Sequence, residues 1–169
     1  MQKDNIVLIG MPTSGKSTVG VILAKILGMD FVDTDIVIQQ REQAKLNQII
    51  ADKGVEWFLK VEEQGLLSVN VNNSVIATGG SAVYSAAAME HFAKSSTIVY
   101  LKVEYEEIMR RLKDVKARGV VLKEGESIEE MYDIRSKLYS KYADITICEE
   151  GYTIEDTVQA IVNSLDSGR

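Results

Sequence analysis

Short apolar runs alternate along the chain with stretches whose apolar residues recur at helical spacing. Ile6–Ile9 predicts a strand, and Lys16–Leu27 a helix that stops at Gly28, a residue suited to a left-handed C-cap. Phe31–Val32 predicts a second, short strand. From Ile36 to about Asn70 the pattern is mostly helical, with a break near Gly54. Val75–Ala77 follows as a strand, Thr78–Ser81 as a turn and Ser85–Ala93 as a helix. Thr97–Val103 is the clearest β-run, and Tyr105–Lys113 behind it is helical. Asp114–Ser127 is polar and has no period. Ile128–Tyr142, Ile145–Cys148 and Ile154–Leu165 complete the chain as helix, strand and helix. Strands separated by helices imply βαβ units, hence an α/β fold with a parallel sheet covered on both faces. Residues 1–169 read as one domain. Nothing repeats, and the single proline, Pro12, leaves no proline-rich linker. Residues 114–126 read as a mobile insertion, or as an ordinary surface loop.

Charge narrows the partners. The net charge of −6 opposes binding to phosphate backbones and anionic lipid, so neither nucleic acid nor membrane is expected. No apolar stretch approaches the roughly 20 residues of a membrane span, and Ile6–Ile9 is too short for the apolar region of a signal peptide. The one cysteine, Cys148, can form no internal disulfide, which fits a reducing compartment. A cytoplasmic protein is expected. Cys148 itself reads as a small buried apolar residue, the lone His91 as a surface residue, and the acid-rich Glu124–Glu130 and Glu149–Glu155 stretches as solvated faces.

The strongest local signal is Gly10-Met11-Pro12-Thr13-Ser14-Gly15-Lys16-Ser17, which matches G-x-x-x-x-G-K-[ST] between a strand and a helix. Such a loop turns successive backbone N–H groups toward a polyphosphate, and the helix N-terminus behind it favours the anion. Lys16 would reach the β- and γ-phosphates, and the Ser17 hydroxyl would ligate Mg²⁺. A ligand-free glycine turn is the plain alternative. The guanine-reading N-K-x-D motif of regulatory GTPases is absent.

Asp33-Thr34-Asp35 follows the second strand, whose carboxyl end belongs beside this loop. Two carboxylates two residues apart on extended chain would point the same way, one toward Mg²⁺ and one toward an attacking hydroxyl. Alternatively one of them only caps a helix starting at Ile36.

With these motifs in order, the chain resembles the shikimate kinase family over nearly its whole length. The resemblance is carried by Ser17-Thr18-Val19-Gly20, by Phe31–Asp35, by Ala77-Thr78-Gly79-Gly80-Ser81, by Arg118–Leu122, and by Arg135, Tyr139, Ala143 and Asp144. It implies a three-layer P-loop kinase fold with strand order 2-3-1-4-5 and a lid over ATP. It also implies that residues Gly10, Met11, Pro12, Thr13, Ser14, Gly15, Lys16, Ser17 and Thr18 hold the ATP phosphates, and that Ser17 and Asp33 serve Mg²⁺. Asp35 would bind substrate hydroxyls and act as base, with backbone N–H groups of Gly79 and Gly80 facing the substrate. Arg118 would close onto the transferring phosphate, Arg111 would stack on the adenine, and Arg135 would pair with a substrate carboxylate. Each arginine also has a plainer reading: an i,i+4 pair with Glu107 for Arg111, a solvated loop charge for Arg118, and a solvent-facing position for Arg135.

Three positions depart from the family pattern. Leu59 stands where a second carboxylate-binding arginine is usual, with Lys60 turned about 100° away on the helix. Ser81 replaces a third glycine, which places a Cβ and hydroxyl where substrate would lie, and Gly119 replaces a lid proline. Leu59 with Trp57 and Phe58 could line a more apolar pocket, although core packing is the simpler role for those aromatics. The expected reaction is phosphorylation of a small hydroxylated molecule by MgATP in a monomer, with shikimate the leading acceptor. A gluconate- or homoserine-type kinase and a nucleotide-binding regulator without turnover are the alternatives.

Overall fold

A computed structural model of the chain describes residues 3–113 and 120–167. Arg118, Gly119 and the first part of the expected lid lie outside the described residues. Five strands, β1 (Asn5–Gly10), β2 (Asp30–Asp33), β3 (Ser74–Ala77), β4 (Ser96–Lys102) and β5 (Ile145–Cys148), form a parallel sheet in the order β2-β3-β1-β4-β5. That is the order expected. The helices are α1 (Lys16–Leu27), α2 (Thr34–Glu42), α3 (Leu46–Lys53), α4 (Val55–Leu67), α5 (Ala86–Ala93), α6 (Tyr105–Lys113), α7 (Ile128–Tyr142) and α8 (Ile154–Ser167).

Burial explains the strand sequences. Every residue of β1 is buried, as a central parallel strand requires. Its side chains alternate between two cores. Ile6 and Leu8 face Val19 and Leu23 of α1 and Val158 and Ile161 of α8. Val7 and Ile9 face Leu66 of α4, Phe92 of α5 and Tyr139 of α7. A third cluster joins Ile38, Ile49, Phe58 and Val61 across α2, α3 and α4, and Val121 packs into it. The segment just beyond residue 119 is therefore anchored by a buried valine.

Register brings the reactive ends together. Leu8 and Asp33 both pair with Ala77, and Gly10 pairs with Leu101. The chain thus leaves β1, β2 and β3 along one edge of the sheet, the edge where open α/β sheets bind ligands.

Four local expectations need correction. The helical stretch after β2 starts at Thr34, because the Asp33 side chain caps it. It also breaks before Gly54, at Gln43, whose left-handed backbone (φ 52°) ends α2. Cys148 is exposed, since β5 is the sheet's edge strand. Phe58 is buried as expected, but Trp57 is 45% exposed and lies under the Lys53 ammonium instead of in the core.

Candidate active site

The loop between β1 and α1 is shaped by its glycines. A Cβ on Gly10 would stand 2.7 Å from the Leu101 carbonyl oxygen and 2.9 Å from Ser14 Oγ. The backbone of β4 cannot yield that space, so only glycine fits. Gly15 takes a left-handed conformation (φ 82°) at the start of α1. Thr13 also has positive φ (69°), a strained state for a β-branched residue. Its carbonyl accepts a hydrogen bond from Arg111 Nη1 at 2.9 Å, which fastens the loop to α6.

Lys16 lies inside this loop. Its ammonium donates to the carbonyls of Gly10 (2.8 Å) and Met11 (2.7 Å) and to Ser14 Oγ at 3.3 Å. Burial pushes its pKa down to about 8, so the group is still a cation at neutral pH. Two residues outside the loop complete this end. Ser17 Oγ donates to Asp33 Oδ2 at 2.8 Å, and Asp33 Oδ1 accepts from the Asp35 N–H at 3.0 Å. Asp33 therefore caps α2 and meets Ser17 at once. Asp35 sits in the first turn of α2 and not on extended chain, so a shared strand face is not what brings the two carboxylates together. Burial, and then the nearby Asp33, raise the Asp35 pKa to about 6, against the pull of Lys16.

The opposite wall is the turn after β3. A Cβ on Gly80 would stand 2.7 Å from Pro12 Cδ, so this turn lies directly against the phosphate-type loop. The Gly80 carbonyl accepts from Tyr139 Oη at 2.5 Å. A Cβ on Gly79 would meet Glu62 Oε1 at 2.8 Å and Asp35 Oδ1 at 3.0 Å. Ser81 does not project its hydroxyl into open space; Oγ donates to Glu62 Oε2 at 2.6 Å.

Arg135 closes the cleft from α7. It is 1% exposed, which removes the solvent-facing reading. Nε donates to Tyr84 Oη at 3.2 Å, Nη2 donates to the Val121 carbonyl, and the guanidinium lies 5.1 Å from the Tyr84 ring centre. Among the described residues it has no ion-pair partner. Lys16, Ser17, Asp35, Glu62, Gly79 and Arg135 thus line one cleft.

Of the expected site residues, the loop, Lys16, Ser17, Asp33, Asp35, Gly79, Gly80 and Arg135 come together. Arg111 does so while also making the i,i+4 pair with Glu107 at 2.7 Å. Two groups were not anticipated. Glu62 is 2% exposed, and burial raises its pKa to about 7. Its signal was in the pattern: Phe58, Val61, Glu62 and Gly65 follow helical spacing, so a carboxylate interrupts the apolar stripe. Glu149 leaves β5 at the same sheet edge and is half-buried, not solvated. Burial raises its pKa to about 7, opposed by Arg111 and Lys16.

Known proteins share this sequence pattern and this fold. The shikimate kinase family model matches residues 12–166. A shikimate kinase of Clostridium botulinum is 36% identical over 165 residues, covering 95% of each chain. The structure of the shikimate kinase of Acinetobacter baumannii in complex with shikimate superposes with a TM-score of 0.88 at 30% identity, over 98% of this chain and 94% of the other. The crystal structure of the Aquifex aeolicus shikimate kinase gives a TM-score of 0.83 at 36% identity, over 97% of each.

Proposed function

Because this chain belongs to the shikimate kinase family, we propose that it transfers the γ-phosphoryl group of ATP to a hydroxyl of shikimate, giving shikimate 3-phosphate. The observation that carries the choice of acceptor is Arg135. A buried guanidinium is costly unless an anion meets it. Here it faces the cleft with only neutral hydrogen-bond partners, across from the lysine of the phosphate-type loop. A hydroxylated carboxylic acid fits between them, its carboxylate on Arg135 and its hydroxyl toward Asp35 and Lys16.

The remaining roles follow from position. The loop from Gly10 to Thr18 holds the ATP phosphates, and Lys16 turns from its own carbonyls to the β- and γ-phosphates. Asp35 orients the acceptor hydroxyl and takes its proton as the γ-phosphoryl group leaves ADP. Gly79 and Gly80 offer backbone N–H groups and let the acceptor lie close. Arg111 borders the nucleotide from α6, and Arg118 is assigned to the transferring phosphate by family resemblance. Ser17 Oγ and the Asp33 carboxylate, 2.8 Å apart, are hard oxygen donors that suit Mg²⁺ alongside substrate phosphates. When bound there, that ion neutralises charge on the β- and γ-phosphates. The proposed working unit is the monomer. No helix among the described residues is long and apolar enough to cross a membrane.

Two of these groups set an expected pH profile. Asp35 must be ionised to accept a proton, and its pKa of about 6 gives the acid limb. Lys16 must be a cation, and its pKa of about 8 gives the alkaline limb. At saturating acceptor, kcat/KM for ATP is therefore a bell with its maximum between these values. A flat profile from pH 5 to pH 9 would contradict both assignments.

The function itself is tested by ADP release with MgATP and shikimate, beside a panel of other hydroxy acids and polyols. Saturable turnover with shikimate, lost without the acceptor, supports the reading. Turnover only with another acceptor replaces shikimate, and tight ATP binding with no turnover on any acceptor removes the kinase assignment.

A further inference from the structure

Glu107, in the first turn of α6, has no part in the roles above. Taken alone, its contacts are an ordinary helix-surface arrangement. Oε1 accepts from Arg111 Nε and from Arg110 Nη2, each at 2.7 Å, and Oε2 accepts from Arg110 Nε at 2.7 Å. Pairs of this i,i+3 and i,i+4 kind between solvated groups contribute little. The Arg111 pair differs at the far end of the guanidinium. There Nη1 donates to the carbonyl of Thr13, 98 positions earlier, at 2.9 Å. Held at both Nε and Nη1, the planar fork is fixed in one orientation.

Thr13 is the point at which the phosphate-type loop needs support. Its φ of 69° crowds a β-branched side chain. Its own hydroxyl does not compensate, since Oγ1 is buried without a hydrogen-bond partner among the described residues. Strain of this kind persists only where the surroundings over-determine it. Inside the loop, the carbonyls of Gly10 and Met11 are held by Lys16. The Thr13 carbonyl is held from α6 instead. That difference matters once ATP enters. As Lys16 turns to the β- and γ-phosphates it gives up its bonds to the loop, and the Arg111 bond remains to keep residue 13 in its left-handed state.

We propose that Glu107 is a positioning residue for the nucleotide. It touches no reacting atom. It holds Arg111, Arg111 holds the Thr13 carbonyl, and the loop keeps the shape that turns its N–H groups toward the phosphates. This role opposes the effect of its charge. A carboxylate near a polyphosphate site disfavours ATP, so removing negative charge alone tightens binding, whereas removing the clasp weakens it. The inference rests on the placement of ATP in this loop proposed above.

The test is the dissociation constant of MgATP without acceptor, measured by titration calorimetry in the wild type and four variants. Glu107→Ala weakens ATP binding about fivefold, the worth of one typical hydrogen bond, and KM for ATP rises with it while kcat changes by no more than about twofold. Glu106→Ala removes the same charge one residue away and leaves ATP affinity equal or tighter. Thr13→Gly removes the strain that the clasp opposes, because glycine adopts the left-handed state freely. In that background, adding Glu107→Ala changes the dissociation constant by less than twofold, so the two substitutions are coupled. ATP affinity in Glu107→Ala equal to or tighter than wild type overturns the proposal, as does a fivefold loss that persists beside Thr13→Gly. If the Thr13→Gly variants do not fold, the opposite behaviour of Glu107→Ala and Glu106→Ala decides alone. A wild type that does not bind MgATP overturns the nucleotide reading first, and this inference with it. Binding that is indifferent to Glu107 overturns the inference alone.

Discussion

Lys16→Met lowers kcat by about a thousandfold while leaving the acceptor KM nearly unchanged. One preorganised donor aimed at developing charge contributes about 2.7–4 kcal/mol, or 10²–10³ in rate, and here the donor is a full cation in a water-poor cleft. The structure adds a second cost. Lys16 holds the carbonyls of Gly10 and Met11 and the Ser14 hydroxyl, so its loss leaves the loop without its central donor. Methionine matches the length and keeps the packing against neighbouring apolar groups, but restores neither effect. Single-turnover phosphoryl transfer, with circular dichroism to confirm the fold, measures the chemical step directly. A kcat within tenfold of the wild type would remove Lys16 from the catalytic role.

Arg135→Ala has the opposite signature. The acceptor KM rises a hundredfold or more, and ATP affinity in the absence of acceptor stays within a few-fold. Truncating one member of a buried, hydrogen-bonded charge pair costs about 2–5 kcal/mol, because the partner charge is left desolvated. Under the proposed reading, the partner is the carboxylate of the acceptor. Since Arg135 also holds Tyr84 and Val121, the alanine variant loses packing as well. Arg135→Lys separates the two effects. It keeps a cation and most of the volume but loses the planar fork, so KM should rise by an intermediate factor. An acceptor KM equal to the wild-type value in both variants would mean that Arg135 is structural. Steady-state kinetics on acceptor and nitrocellulose binding of ATP read the two affinities independently.

Much of this cleft could be read from residue order. The phosphate-type loop is a local device: its glycines, lysine and serine act through backbone geometry within eight residues, so sequence and structure coincide there. The sheet order followed from the family resemblance, and the register at Ala77 then accounts for why Asp33 meets Ser17. Errors arose where a side chain's partner is distant. Ser81 was expected to intrude on the acceptor, whereas its hydroxyl turns to Glu62, 19 positions away. Arg135 could be placed on α7 but not on its inner face, because its partners come from the turn after β3 and from the segment around Val121. Glu62 is hidden from sequence reading for the same reason. A carboxylate in an apolar stripe signals something, but only the fold shows what it faces. Cys148 is exposed against expectation because composition cannot distinguish an edge strand from a central one.

The cleft also sets the conditions under which the chain holds together. Asp35, Glu62 and Glu149 have pKa values raised to about 6, 7 and 7, so from about pH 5 to 7 the folded chain keeps protons that an unfolded chain would release. Folding stability therefore falls as pH rises through that window. Lys16, with its pKa lowered to about 8, adds a penalty that is complete below that pH and eases above it. On the acid side, Glu107, Glu130 and Asp156 are held below their ordinary range by local hydrogen bonds, and their contribution is lost only at lower pH still. Resistance to heat thus peaks in mild acid, while turnover peaks nearer neutrality, where the same carboxyl groups have begun to give up their protons. The conditions that preserve this protein on the shelf are not those in which it does its work.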